Sequence, residues 1–575
     1  MPLSDWRRRG ILVLLVSAGI ADSSQSAPPG KLTSNERQGF AQAEPAVVPG
    51  APAETAGVAS PNGVAQAPDT AAPLTDAHDA SRDRPSAPEP VPAPATKPAP
   101  PPQPWKPLYF DNDFSYKGKP NAPHFLGEEL KNMPLDGVDF LDGSTLSVGG
   151  EIRHRYMDEL NRLRPGGPGR STYNLWRWRQ YVDFKVRDQF RVYVEMIDAS
   201  IFDQELPVTG IDENRWDIQN AFLDVKLGER DDKPIYFRAG RQELLYGTPQ
   251  GIVPGGQMVL SPLDWGNTRR NFEGFKLISK GTTWDVDVFA VRPVNTATPT
   301  GATGGRPVLT SVLDFDNSHD KSDPTRWLTG AYTVYRGIEN QTIEPYYIWL
   351  QTAADKHVAG WADGNRHSVG LRWTTTNTIK DCCDKPCVVL ASDVEGAYQF
   401  GADNGLDVSA GFFTSKLGAT LSQVPWTPNF QFIYYFGSGD NDPTDGVNQT
   451  YDVYWPLNHA WWGIIDNLAG QNLHDFALQA TVKPHARLTF LSAIHWFDAD
   501  SNSDTIYNVA GAPTGPAGGG KNIGEELDLI ATYAYSPNFD VQLGYSWFWY
   551  GNRIKNTALN RDDATQFYLQ TSLRY

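Results

Sequence analysis

The stretch Asp562–Tyr575, "DDATQFYLQTSLRY", decides how this chain is read. Taken alternately, Phe567, Leu569, Thr571, Leu573 and Tyr575 share one face, while Gln566, Tyr568, Gln570, Ser572 and Arg574 share the other. A period of two with one apolar face is the mark of a half-buried strand. Chain ends ordinarily fray, so a strand that runs to a final aromatic residue is expected where it has a fixed partner.

The same texture extends backward to Leu146. "TLSVGGEIRHRYM" sets Leu146, Val148, Ile152 and Tyr156 against Glu151, Arg153 and Arg155. "NLWRWRQYVDFKV" sets Trp176, Trp178, Val182, Phe184 and Val186 against Arg177, Arg179, Asp183 and Lys185. After the turn "RDQ", "FRVYVEMI" sets Phe190, Val192, Val194 and Met196 against Arg191 and Glu195. Continued to Tyr575, the pattern predicts about eighteen strands. Short connections ("RDQ", "SKGT", "KPHA", "YSPN") alternate with long ones, such as Glu243 to Arg269 and Gly437 to Leu473. Short turns at one end, long loops at the other and an even strand number describe an all-β transmembrane antiparallel barrel of the outer-membrane type. No fixed internal period points to a propeller or solenoid. Aromatic pairs near strand ends (Trp547 and Trp549, Tyr346 and Tyr347, Tyr434 and Tyr435) suit the two interfacial girdles.

Composition agrees. The chain has 575 residues, 40% hydrophobic and 12% aromatic, with 52 Gly and a mean hydropathy of -0.45, which excludes a bundle of membrane helices. Its one long apolar run follows Arg7, Arg8 and Arg9 and precedes small residues around Gly19 and Ala21, the layout of a signal peptide over residues 1–21. Residues 22–104, rich in Ala and Pro ("PEPVPAPATKPAPPPQP"), are expected to form a disordered periplasmic tether. Residues 105–145 are expected to form a short plug-like periplasmic segment, and 146–575 the barrel. A net charge of -17 argues against nucleic acid as a partner; outer-membrane lipid is the partner the alternation requires.

Several stretches resemble the alginate-export family of outer-membrane barrels: "WKPLYFDNDFSYKG" with "LGEELKNMPL"; "IYFRAGRQELLYG" with "LSPLDWGNTRRNFEGFKL"; and "YYFGSGDNDPTDG" with "YDVYWPLNHAWWGIIDNLAGQNLHDFAL". The resemblance covers most of Trp105–Tyr575. It implies an outer-membrane barrel that passes an anionic exopolysaccharide, with periplasmic export partners. The chain departs from the family after "RQELLYG", where "TPQGIVPGGQMVLSP" replaces a short loop with a basic residue. The terminal aromatic strand likewise resembles the signal by which barrel-assembly machinery recognises its substrates.

The candidate substrate path is basic. Arg153, Arg155, Arg177, Arg179, Lys185, Arg191, Arg238, Lys276 and Arg372 fall on polar faces, which must be lumenal because a midplane charge facing lipid costs roughly 2–4 kcal/mol. Rings of Arg or Lys favour anions, and a guanidinium pairs with a carboxylate through two parallel bonds. The alternative is a bracing ladder with Glu151, Asp183, Glu195, Asp224, Asp285, Asp287 and Glu395. Strict alternation puts Arg241 on the apolar face, so a bulge or an interface position is expected there. Asp440, Asp442 and Asp445 in "GSGDNDPTD" have the spacing of an oxygen-rich Ca2+ loop without its terminal Glu, and a solvated turn is the simpler reading. Apart from that, no cofactor is expected. Cys382, Cys383 and Cys387 in "KDCCDKPC" are expected to close one local disulfide clip; a zinc site lacks a fourth ligand. His459 is read as packing within its loop.

No metalloprotease, phosphate-loop or nucleophile-elbow motif is present. The function expected is a channel for an anionic polysaccharide or oligosaccharide. A general anion-preferring porin is the alternative. A barrel-embedded hydrolase, pairing Ser492 or Ser546 with His495, is the alternative from another class.

Overall fold

In a computed structural model, residues 104–575 are described apart from 118, 120–123, 138–140, 165, 248–255, 296–319 and 354–362. The signal peptide and, up to residue 103, the tether lie outside the described residues. Eighteen strands, each antiparallel to its neighbours, form the wall. They are β1 (Thr145–Leu160), β2 (Arg170–Val186), β3 (Phe190–Phe202), β4 (Asn214–Arg230), β5 (Lys233–Gln242) and β6 (Phe272–Ser279). There follow β7 (Trp284–Asn295), β8 (Arg326–Tyr335), β9 (Gln341–Thr352), β10 (Gly364–Lys380), β11 (Pro386–Asp403) and β12 (Leu406–Leu421). The last six are β13 (Asn429–Gly437), β14 (Leu473–His485), β15 (Leu488–Asp498), β16 (Asn522–Ser536), β17 (Phe539–Tyr550) and β18 (Ala564–Arg574).

Closure explains the terminal strand. β18 pairs with β1 from Thr565↔Leu160 to Arg574↔Glu151, leaving no edge of unpaired backbone groups in hydrocarbon. Tyr575 extends the ladder: its N–H donates to Gly150 O (3.1 Å), and Gly150 N–H donates to Tyr575 O (3.0 Å). Its phenol donates to Gln180 Oε1 (2.6 Å) and accepts from Trp178 Nε1 (3.1 Å). The aromatic ending is thus locked against β2.

Side-chain burial is inverted relative to a water-soluble sheet. Phe430 is 53% and Leu478 52% exposed, while Arg177 is 1% and Arg372 0%. Alternation therefore sends apolar residues to the lipid and charges to the interior. Both chain ends of the barrel share one end with the short turns, which in an outer membrane face the periplasm. The opposite end carries the long connections and a single tight turn at Asn404 and Gly405, where both residues have positive φ (50° and 82°), as a two-residue hairpin of this kind requires.

The interior is filled by the chain itself. The long connections β5–β6 and β13–β14 fold inward and bind one another: Ser261 N–H donates to Trp455 O (2.8 Å), Trp455 N–H to Val259 O (3.1 Å) and Leu457 N–H to Gln257 O (2.9 Å). Met258, Leu260, Trp455, Trp461, Trp462 and Ile465 build an apolar core with inward residues such as Phe272, Tyr332 and Tyr435. From the periplasmic end, residues 104–135 insert Leu108, Tyr109 and Phe110 against Tyr181, Tyr193 and Phe222. Gly127 (φ 76°) rides on the chain terminus, where a Cβ would come within 2.8 Å of Tyr575 C.

Candidate functional site

All nine basic residues read from the sequence lie on the lumen side, and they fall into two groups by what they bind. Six answer to side-chain carboxylates on the wall. Arg191 forks onto Asp183 (2.7 and 3.0 Å), with Lys185 on the same carboxylate (3.3 Å). Arg238 forks onto Asp224 (2.7 and 2.8 Å). Arg372 forks onto Asp393 (2.9 and 2.8 Å) and reaches Glu344 (2.9 Å). Lys276 pairs with Asp287 (2.7 Å), and Arg179 Nε donates to Glu195 (2.6 Å). Cross-strand register sets several of these pairs, since Arg238 faces Asp224 and Arg372 faces Glu344 directly.

Arg153, Arg155 and Arg177 behave differently. Neighbouring strands present them side by side, because Arg153 pairs in register with Arg177. They converge on three successive residues of the inward β5–β6 connection. Arg153 donates to the carbonyls of Asp264, Trp265 (3.3 Å) and Gly266 (2.6 Å). Arg155 donates to Trp265 O (2.8 Å) and, through Nε and Nη2, to Gln570 Oε1 (2.8 and 2.6 Å). Arg177 donates to Asp264 O (3.0 Å), Gly266 O (3.2 Å) and the Asp264 carboxylate (2.7 Å) and, through Nε and Nη2, to Glu151 Oε1 (2.9 and 2.6 Å). Arg269 completes the cluster, bound to both Asp264 and Glu243. Burial alone would push the Asp264 carboxyl up; Arg177, then Arg269 and Arg153, outweigh it and hold the group well below the usual carboxylate range. The arrangement is a guanidinium floor built to hold a carboxylate flanked by neutral oxygens.

Aromatic faces line the same region. Trp265 lies flat between the Arg155 guanidinium (3.5 Å) and the His459 ring (3.9 Å, 18°), with Tyr568 edge-on at 4.9 Å. His459 Nδ1 is 3.0 Å from Asp466 Oδ2, a partner within its own loop. Farther toward the periplasm, Arg179 sits over Tyr109 (4.0 Å) and Arg238 over Phe110 (4.6 Å), while Arg191 donates to Phe110 O (2.6 Å).

The sequence reading missed Glu243, Asp264, Trp265 and Arg269. The stretch that holds the last three, "LSPLDWGNTRRNF", carries too much apolar and aromatic surface for a solvated loop, and that was the available signal. Arg241, expected at a bulge or an interface, stands at the loop end of β5, where it donates to Ile218 O (3.1 Å) and Asp320 O (2.7 Å).

Asp440, Asp442 and Asp445 cap the backbone of their own turn. Their carboxylates accept from the N–H groups of Asp442 (3.0 Å), Thr444 (3.1 Å) and Val447 (2.8 Å). Among the described residues no group of three or more His, Cys, Asp or Glu is arranged to hold a metal. Cys382, Cys383 and Cys387 are free thiols, in place of the expected clip. Adjacent Sγ atoms of Cys382 and Cys383 stand 3.8 Å apart, against the ~2.05 Å of a bond. Asp381 Oδ1 holds the turn instead, accepting from Cys383 N (2.8 Å) and Lys385 N (3.0 Å). For the hydrolase alternative, Ser492 falls on the face opposite His495, since strand neighbours alternate. Ser546 donates to Asp528 (2.5 Å), and His495 faces Asp475 (2.9 Å).

Several solved outer-membrane proteins are similar in shape. OprD of Pseudomonas aeruginosa aligns over 76% of this chain and 94% of its own, at 12% identity and a TM-score of 0.48. OccAB2 of Acinetobacter baumannii aligns over 76% and 100%, at 10% identity and a TM-score of 0.49. At that level of superposition these likenesses carry no functional argument. No curated protein sequence matches the chain. The family model for alginate export matches residues 144–566, the whole wall from its first strand into its last. This chain therefore belongs to the alginate export family, as an outer-membrane β-barrel.

Proposed function

We propose that this barrel is an outer-membrane channel for an anionic polysaccharide or oligosaccharide such as alginate. The observation that carries the reading is the Asp264 carboxylate held by Arg177 (2.7 Å) and Arg269 above a row of lumen guanidiniums. A uronate offers the same carboxylate with ring and hydroxyl oxygens beside it, in the geometry that guanidinium forks recognise. Family membership supports a transport role rather than catalysis. Outer-membrane lipid surrounds the wall, and periplasmic export partners would meet the end that carries residues 104–135.

Planar-bilayer recording tests this reading. In a KCl gradient the channel should prefer chloride, and a short oligouronate should block it where a neutral maltooligosaccharide of equal length does not. Equal block by both sugars would instead favour the general anion-preferring porin. Cation preference with no block would overturn both.

A further inference from the structure

Arg153, Arg155 and Arg177 do more than a bracing ladder does: Arg155 and Arg177 have wall partners in Gln570 and Glu151, yet all three also reach an inward loop. The bracing pairs, such as Arg238 with Asp224 (2.7 Å), join wall to wall. These three spend their donors on a tripeptide of an inward loop, taking the carbonyls of Asp264, Trp265 and Gly266 and the Asp264 carboxylate. We propose that Asp264–Gly266 is an internal ligand occupying a uronate subsite, and that the saccharide displaces it. The proposal rests on the reading above and adds where the sugar binds and what it must remove.

Four features support exchange over permanent bracing. The Asp264 side chain is 28% exposed, whereas those of Arg177 and Arg269 are 0%. On the departure of Asp264, Arg177 keeps Glu151 (2.6 Å) and Arg269 keeps Glu243, while Arg153, bound only to the three carbonyls, is freed for an incoming carboxylate. Leu263, immediately before the tripeptide, has φ 62°, a left-handed conformation that a Leu holds only when its surroundings impose it. The slot between Arg155 and His459 is filled by the Trp265 ring at 3.5 and 3.9 Å, so departure of the tripeptide vacates it for a sugar ring.

The test uses the full chain in planar bilayers, with Asp264→Asn and Asp264→Glu. Asparagine keeps the size and the backbone contacts but removes the competing charge. It should move the KCl reversal potential further toward chloride and lower the blocking constant of an oligouronate about ten-fold; glutamate should restore wild-type behaviour. An Asp264→Asn barrel that keeps its heat-modifiable mobility but shows neither change overturns the inference. A shift in KCl without block by oligouronate in any variant upholds the internal ligand and overturns the saccharide reading. Block of the wild type with no change in Asp264→Asn does the reverse. Should Asp264→Asn fail to insert, Trp265→Ala empties the slot beside Arg155 with every carboxylate in place. It should ease block in the same direction, and unchanged block overturns the proposal.

Discussion

The two sides of the lumen make opposite use of the same loops. On the β1–β5 side, guanidiniums find carboxylates on the wall or carbonyls on the inward connection. On the β14–β17 side stand Asp475, Glu526 and Asp528, each 0% exposed. There Asp475 Oδ1, Glu526 Oε2 and Asp528 Oδ2 have no hydrogen-bond partner. Loop backbone reaches this side too, but only Ile465 N–H donates to Glu526 (2.8 Å). Lys416, on the lumen face of β12, donates to Ala460 O (3.1 Å) over the Trp461 ring (3.8 Å). The difference is one of supply. A peptide carbonyl has two lone pairs and a peptide N–H a single proton already committed in most folds. An irregular loop can therefore satisfy buried guanidiniums far more readily than buried carboxylates.

β18 is the seam between the two sides, bonded to β1 on one edge and β17 on the other. Deleting Gln566–Tyr575 removes that seam and should have the largest effect. Insertion should be abolished, because nine residues of β1 lose their ladder partners inside hydrocarbon. Heat-modifiable mobility on gels reports the outcome; a truncated chain that still inserts would break the closure argument outright.

Orientation gives the next, an on-or-off result. An epitope inserted near Asp442 lies on the long-loop end and should be reached on intact cells. One near Asp384 lies on the short-turn end and should be hidden until the outer membrane is opened. Reversed labelling would mean that the arginine floor faces its carboxylate from the wrong compartment.

The contrast between the two sides then becomes energetic. Arg177→Gln strips a cation from both Glu151 and Asp264, and breaking a buried pair costs about 3–5 kcal/mol. Glu526→Gln leaves every ion pair among the described residues intact. The amide oxygen still accepts from Ile465, so the change should stay within about 1 kcal/mol. Urea midpoints read from the mobility shift compare the two. Equal losses would show that the unpartnered carboxylates are as tightly integrated as the arginines.

Period-two alternation was legible because lipid punishes any slip of register: Val182, Val194 and Leu543 had to face out, and they do. The faces of Arg153 and Arg177 followed from the same rule. What those arginines hold was not legible, because it depends on residues 87 or more positions away folding inward. Nothing local separates an arginine that awaits a ligand from one that already has Asp264. At the Cys382–Cys387 turn the spacing admits a bridge, and the part of Asp381, whose carboxylate caps the turn backbone, was likewise not legible.

The smallest effect concerns how residues 104–135 are held in the periplasmic mouth. Lys131 is 0% exposed. Its ammonium donates to Val148 O and lies 5.6 Å from the Trp105 ring and 5.5 Å from those of Phe114 and Tyr181. Burial, and next the charge of Lys117, push it down to about 7 from an ordinary 10.5. Between those two values the undocked segment binds more protons than the docked one, so docking strengthens as pH rises from about 7 toward 10.5. Below about 7 both forms are charged and this group adds no slope. The three ring faces favour the ammonium and offset part of the burial, so the gain from pH 7 to 9 should be on the order of 1 kcal/mol. Tyr116, pushed up to about 12 by burial, stays neutral throughout that window. A fluorophore on a cysteine placed at Leu126, in a chain whose own three cysteines are replaced, reports release of the segment in urea. Lys131→Met should flatten the pH dependence. If the wild type is already flat, the aromatic cage outweighs burial and keeps the ammonium charged; a slope that survives in Lys131→Met belongs to another group.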